Sequence, residues 1–175
     1  MTARFPRLER IRVGGWRGVD LAMIRDAASL SSVYLEGRRQ KGTLAGIERC
    51  SAIERLVSID YAVSDSSPLR PLGRLREVKL LAMPPTEPHE VVRFSDLAAP
   101  VMERIWIANA LRIEDFAVLK ELPRLREIRL INCPLRENDL RELRALPSRV
   151  KIDVVGPPHP ERVRGGEGRV NSIAG

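Results

Sequence analysis

The sequence predicts an α/β solenoid of about seven stacked repeats, each with one short strand and a return segment of short helix or turn. Residues 122–147, LPRLREIRLINCPLRENDLRELRALP, show the pattern best. Apolar residues first lie two apart, at Ile128 and Leu130, as in a strand. They then lie three apart, at Leu143 and Leu146, as on one side of a helix. This change recurs along the chain at steps of 22 to 27 residues, which indicates a repeat architecture.

Seven strand-like segments of six residues align when the chain is compared with itself. Their fourth place is aliphatic in all seven segments, and their sixth place is aliphatic in six, with Ser58 as the exception. A single strand and return segment cannot bury its apolar side alone, so neighbouring units must stack and share one core. The segments begin at Leu8, Leu30, Ile53, Leu75, Met102, Leu125 and Pro147.

The unit LREIRLINC at residues 125–133 resembles the leucine-rich repeat, whose pattern is LxxLxLxxN or LxxLxLxxC. The resemblance covers about residues 5–155. Within the family, the chain resembles the small bacterial members. It implies a curved solenoid with parallel strands on the concave face and short helices or turns on the convex face. We therefore predict one leucine-rich repeat domain over residues 1–155, followed at 156–175 by a disordered basic tail rich in Gly and Pro.

The return segments carry helix signals in several units. Asp20 and Thr43 are placed to cap two of them, and the apolar stripes behind them are predicted to be core. These stripes comprise Leu21, Ile24 and Ala28, then Leu44, Ile47 and Cys50, then Ile113, Phe116, Leu119 and Leu122. The ninth place lacks the asparagine ladder of the family, since Asn109 and Asn132 lie one place early. The longest unit contains MPPTEPHEVVRF, which predicts a protruding loop before a short helix near Ser95.

Composition bounds the functional classes. The chain of 175 residues is 43% apolar and 30% charged, with a net charge of +7 and a pI near 10.2, mostly from arginine. This balance favours an acidic protein, nucleic acid or an anionic surface as partner without choosing among them. Cys50 and Cys133 lie among aliphatic residues and are predicted to be buried and reduced. Since no leader or apolar run of 18 residues is visible, we expect a cytoplasmic protein without cofactor or metal.

The outward strand places define a predicted binding face. Because side chains alternate across a strand, places three and five point to the concave side, away from the core. Eight of the fourteen residues there are basic. Trp106 lies among them, and tryptophan and arginine dominate binding hot spots. The predicted partner-binding residues are Trp106, Arg104, Arg129, Lys79, Tyr34, Lys151, Arg149, Arg55 and Arg12.

A solvated surface is the alternative interpretation of that face. Glu77 and Glu127 interrupt the basic array and can neutralise the arginines beside them. Exposed ion pairs of this kind contribute only about 0 to 1 kcal/mol each. Trp106 can likewise lie flat against neighbouring strands, stacked on Arg104 or Arg129. The sequence leaves both interpretations open.

The leading functional hypothesis is a non-enzymatic module that binds an acidic protein through its concave face, neutralising or recruiting one dedicated partner. The alternative is nucleic-acid binding by the same basic face, although no zinc finger, helix-turn-helix, RRM or KH signature is present. An enzyme is disfavoured because the two histidines, His89 and His159, fall in the Pro-rich loop and the tail without a cysteine or paired carboxylate beside them. We predict no catalytic or metal-binding residues.

Overall fold

The computed structural model describes residues 7–24 and 27–156. Within these ranges the chain forms nine strands, five 3₁₀ helices and one α-helix. The strands are β1 (Arg10–Trp16), β2 (Ser32–Gly42), β3 (Arg55–Val63), β4 (Glu77–Leu81), β5 (Val92–Arg93), β6 (Arg104–Ala108), β7 (Ile113–Glu114), β8 (Glu127–Ile131) and β9 (Lys151–Val155). The 3₁₀ helices are Ala22–Ile24, Ile47–Arg49, Ser67–Leu69, Phe94–Leu97 and Phe116–Glu121, and the α-helix α1 is Glu137–Arg144.

Seven of the strands in this part of the chain form one parallel sheet, in the order β1-β2-β3-β4-β6-β8-β9. Strands of successive repeats are therefore neighbours in space, which confirms the predicted solenoid. The short strands β5 and β7 form a separate two-stranded parallel sheet within the return segments. Parallel strands need a crossover of about a dozen residues, and each return segment supplies one.

The core lies between the seven-stranded sheet and the return segments. Side chains at places four and six point into it, and Val33, Leu56 and Val78 are fully buried. Each such aliphatic side chain contributes about 1.5 to 3 kcal/mol to folding. At the two ends of the sheet the same rows are only partly buried, for example Ile11 in β1 and Ile152 in β9, because each end strand has a neighbour on one side.

The return segments are built from consecutive three-residue turns. In the first, Ile24 N–H donates to Leu21 O, Ala27 N–H to Ile24 O, and Leu30 N–H to Ala27 O, each at 3.0 Å. A strict period of three places every third side chain on the core side, which is the geometry of a 3₁₀ helix. The predicted stripe is thus corrected at one position, since Ala27 is buried and Ala28 is exposed.

The early asparagines mark a left-handed backbone position. Place eight has a positive φ in four units, at Gly15 (66°), Asp60 (52°), Asn109 (64°) and Asn132 (51°). Gly, Asn and Asp tolerate this conformation best. Asn132 Nδ2 also donates to Asn109 Oδ1 at 2.9 Å, so a short asparagine pair links two repeats one place before the position typical of the family.

The Pro-rich segment is only partly the protruding loop that the sequence predicts. Its 3₁₀ helix Phe94–Leu97 confirms the predicted short helix near Ser95, and Met83 is 45% exposed. Thr86 and His89, however, are buried, so the segment turns back into the core. His89 Nδ1 accepts a hydrogen bond from the Val63 N–H at 2.9 Å, which fixes the segment to the end of β3.

The last strand is shifted by two residues from its predicted alignment. Lys151 aligns with Glu127 at place three, Ile152 with Ile128, and Asp153 with Arg129 at place five. The prediction placed Arg149 and Lys151 at those two positions and was therefore wrong for this unit. The other six strands have the predicted register, from Arg10 in β1 to Glu127 in β8.

Both cysteines are buried, as predicted: Cys50 is 0% exposed, with its Sγ donating to Ile24 O at 3.1 Å, and Cys133 is 7% exposed. Burial also raises the pKa of the Cys133 thiol. In the ranges that the structure covers, no helix has both the length and the apolar character required to cross a membrane. Residues 157–175, which hold nearly all of the predicted disordered tail, lie outside the described residues.

Candidate functional site

Three columns of side chains cross the concave face, one at each outward strand place. Place three carries Arg10, Ser32, Arg55, Glu77, Arg104, Glu127 and Lys151. Place five carries Arg12, Tyr34, Val57, Lys79, Trp106, Arg129 and Asp153. Place seven carries Gly14, Glu36, Ile59, Leu81, Ala108, Ile131 and Val155.

Glu77 lies at the centre of the place-three column and pairs with three cations. Its Oε1 accepts from Arg55 Nη2 at 3.2 Å and pairs with Lys79 Nζ at 3.0 Å, and its Oε2 accepts from Arg104 Nη1 at 3.4 Å. Burial opposes ionisation of this carboxyl, but the Lys79 hydrogen bond and the three cations outweigh it, so the pKa of Glu77 is lowered. Three cations around one carboxylate leave a local charge of +2.

Trp106 is stacked between two cations on the place-five column. Lys79 Nζ lies 3.8 Å from the centroid of its ring, and Arg129 Cζ lies 5.4 Å from it. Its indole N–H is buried and has no acceptor within the described residues, so stacking holds the ring in place. Arg12 Cζ lies 4.5 Å from the centroid of Tyr34, which makes a smaller pair of the same kind at the first two strands.

The corrected register changes the role of three predicted site residues. Arg129 Nε pairs with Asp153 Oδ2 at 2.9 Å, so the charge of Arg129 is neutralised by the residue that occupies place five of β9. Lys151 stays on the concave face but in the place-three column. Arg149 lies before β9, and its Nη2 donates to Pro123 O at 3.5 Å, outside the three columns.

A depression of about 330 Å³ lies among β2, β3, β4 and β6. It brings together four of the predicted residues: Tyr34, Arg55, Lys79 and Trp106. The remaining lining residues are Ser32, Val57, Ile59 and Leu81. The depression is therefore mainly aliphatic and aromatic on one side and cationic on the other.

The place-seven column is the part of the face that the sequence analysis missed. Ile59, Leu81, Ile131 and Val155 are half-buried aliphatic residues on the same side of the sheet as Trp106. All four residues could have been predicted from the sequence. Side chains alternate across a strand, so the residue two positions after place five lies on the same side of the sheet. The family pattern ends its strand at place six, so place seven fell outside the predicted strand.

A second hollow, of about 220 Å³, alternates Glu54, Glu77 and Glu103 with three arginines at the start of the strands. Arg76 bridges Glu54 and Glu103 at 3.9 and 3.5 Å, so these two carboxylates are already paired with a cation, and the other three lining residues belong to the Glu77 cluster described above. Among the described residues, no three His, Cys, Asp or Glu side chains are arranged to hold a metal ion. The concave columns remain the candidate site.

Solved structures of two internalins, which are leucine-rich repeat proteins, are similar to this chain. Internalin C2 of Listeria monocytogenes matches with a TM-score of 0.52 at 14% identity, over 89% of this chain and 76% of that chain. The internalin InlF of the same organism gives a TM-score of 0.49 at 16% identity, over 78% of this chain and 44% of that chain, so this chain spans less than half of InlF. No family model and no curated protein matches. The likeness to internalin C2 shows the fold.

Proposed function

We propose that this chain, a solenoid with the leucine-rich repeat fold, is a non-enzymatic module that binds a partner protein through its concave face. Trp106 is the centre of the proposed contact. One observation carries the proposal: a tryptophan fixed between Lys79 and Arg129 adjoins a depression lined by aliphatic side chains. Aromatic and arginine side chains around a desolvated pocket are the residues that dominate protein interfaces.

Stacking and binding are compatible roles for Trp106. The sequence analysis treated a flat, stacked ring as the alternative to a binding residue, and the ring is indeed stacked. A ring already held by its neighbours loses little conformational freedom on binding, so stacking favours its use in an interface. The predicted residues Tyr34, Arg55 and Lys79 share the depression with it, while Arg104 contacts it only through Glu77 and Lys79.

The ion pairs favour a protein over nucleic acid as partner. Nucleic-acid binding strengthens with the number of phosphates that the protein neutralises. On this face Arg55, Lys79 and Arg104 share Glu77, and Arg129 is paired with Asp153, so these four cations keep a net charge of only +2. The place-seven column adds aliphatic area, which suits contact with protein side chains.

The test is a pull-down from native lysate with the full chain as bait, with and without nuclease. Trp106→Ala is expected to weaken binding of the captured protein by about 2 kcal/mol or more, roughly thirtyfold, in a titration with that protein once identified. Arg141→Ala, on the exposed side of α1, is the matched control and is expected to bind as wild type. Equal affinity of Trp106→Ala and wild type contradicts the assignment of the site. Capture that disappears with nuclease and depends on Trp106 supports the nucleic-acid alternative instead.

A further inference from the structure

We propose that the occupant of the concave face is an acidic amphipathic helix of the partner protein. Its apolar side lies over places five and seven, and its carboxylates lie over place three. This inference rests on the proposed function and specifies its partner. It starts from the order of the columns over β4, β6 and β8, which are charged at place three, aromatic and cationic at place five, and aliphatic at place seven.

The dimensions of the three columns fit a helix. Places three and seven are four residues apart along a strand, which is about 13 Å at roughly 3.3 Å per residue. A helix with its side chains is about 10 to 12 Å across. The aliphatic part of place seven runs from Ile59 to Val155 over five neighbouring strands, or about 19 Å at roughly 4.8 Å between strands. That length corresponds to about 13 helical residues.

The direction of the columns also favours a helix over an extended segment. An extended segment that crosses the face must place its own N–H and C=O groups against aliphatic side chains such as Ile59 and Leu81, where they find few partners. A helix satisfies these groups internally and presents parallel stripes of side chains along its axis. The columns run across the strands in the same way.

The positive charge of the Glu77 cluster predicts a negatively charged flank on the partner helix. Arg55 and Arg104 keep 53% and 48% of their side chains exposed although both contact Glu77, and the cluster has a local charge of +2. Arg10, at the end of the same column, is exposed and has no ion pair within the described residues. A carboxylate on the partner completes this cluster, whereas a lysine there meets like charge. Glu77 therefore competes with the partner for the same cations.

The experiment is a yeast-display selection of randomised 18-residue peptides against the purified full chain. The enriched pool is expected to repeat apolar residues at i, i+3 or i+4, and i+7, with Asp and Glu along one flank. A synthetic copy of the most enriched peptide is then titrated by fluorescence anisotropy. Leu81→Ala and Ile131→Ala are each expected to weaken it at least fivefold, and Arg55→Gln to weaken it similarly. Arg141→Ala is the control and leaves the affinity unchanged.

Glu77→Gln separates this inference from a purely structural role of the face. The substitution keeps the shape of the side chain and releases Arg55, Lys79 and Arg104, so it is expected to tighten the acidic peptide about three- to tenfold. A thermal unfolding curve of each variant confirms that it is folded at the temperature of the titration. Weaker or equal binding by folded Glu77→Gln overturns the assignment of the cluster to a partner carboxylate.

The selection distinguishes the failure of this inference from the failure of the proposed function. Peptides that lose binding in Trp106→Ala but are basic, or that alternate apolar residues with a period of two, refute the acidic helix and retain the concave face. Peptides whose binding ignores Trp106 refute both proposals. A pool without enrichment above the unselected library also refutes the acidic helix.

Discussion

We predict that His89 makes the stability of this protein depend on pH. The side chain is 0% exposed, and its Nδ1 accepts a hydrogen bond from the Val63 N–H at 2.9 Å. The bonded ring is therefore neutral, with its proton on Nε2. Burial lowers the pKa of His89 from an ordinary value of 6.5 to about 4, and the neighbouring Leu80 carbonyl opposes this shift less strongly.

The magnitude follows from the difference between the folded and unfolded states. The unfolded chain takes up a proton at His89 below pH 6.5, while the folded chain stays neutral there until the pH approaches about 4. Stability is complete above the unfolded pKa and falls as the pH is lowered through this window. With about 1.36 kcal/mol for each pKa unit, the loss from this residue is about 2 kcal/mol between pH 7 and pH 5 and about 3 kcal/mol when the window is complete.

The assay compares urea unfolding of wild type and His89→Asn at several pH values between 7 and 4, followed by tryptophan fluorescence. Asn places Oδ1 where His89 has Nδ1, so it retains the acceptor for Val63 but cannot take up a proton in this range. Its smaller side chain lowers stability at pH 7 by about 1 to 3 kcal/mol. Titration of Glu77 and Asp65, whose pKa values are lowered in the folded protein, is common to both proteins. The two curves are expected to converge as the pH falls, and parallel curves would show that His89 does not cause the pH dependence.

Two further predictions concern a buried carboxylate and a left-handed backbone position. Asp96 is 1% exposed and accepts hydrogen bonds from Ser66 Oγ at 2.7 Å and from Arg70 Nη2 at 2.8 Å. Asp96→Ala is therefore expected to lower the free energy of unfolding by about 3 kcal/mol. A loss below about 1 kcal/mol in urea unfolding contradicts this account. Asn109 has a φ of 64°, which a β-branched residue adopts poorly and glycine adopts readily. Asn109→Val is therefore expected to lower the free energy of unfolding by about 1 to 2 kcal/mol, and Asn109→Gly to lower it much less. Equal losses of stability in the same assay would refute a conformational cause.

The repeat was predictable from sequence because buried aliphatic positions recur in every unit along the chain. Aliphatic residues at places four and six face one core, so their spacing records both the strand period and the length of the return segment. The last unit shows the limit of this signal. Val150, Ile152 and Val154 alternate without a break, so a strand starting two residues later fits the pattern equally well. The hydrogen bond of Lys151 N–H to Arg126 O, at 2.8 Å, decides between them.

The return segments show a second limit. A stripe of apolar residues three apart is compatible with one side of an α-helix and with successive 3₁₀ turns. In the structure the stripe at Leu44, Ile47, Cys50 and Ile53 is fully buried, and each residue from Ile47 onward donates its N–H to the residue three before it. Among the connections that the structure describes, an α-helix, α1, occurs between β8 and β9, and the helical turns of the other connections are 3₁₀.

Site residues were predictable by type and less so by contact. Alternation placed Tyr34, Lys79 and Trp106 in one column, and the structure has them there. Alternation does not specify which partner a long side chain selects. Lys79 reaches both Glu77 and the ring of Trp106, and this double contact depends on side-chain conformation rather than on strand order. The neutralisation of Arg129 by Asp153 follows from the register of β9, which the pattern left open.

The aliphatic column at place seven is not required by the fold. The first two strands carry Gly14 and Glu36 at this place and still pair in the same sheet, so a polar residue is tolerated there. From β3 onward, place seven is nevertheless aliphatic in every strand: Ile59, Leu81, Ile131 and Val155 are half-buried, and the smaller Ala108, between Leu81 and Ile131, is fully buried. Single exposed aliphatic residues are ordinary on protein surfaces, whereas several neighbouring ones beside a fixed tryptophan support the proposed contact with a partner. Solubility alone would favour charge at these positions, as at place three of the same strands, which carries Arg55, Glu77, Glu127 and Lys151.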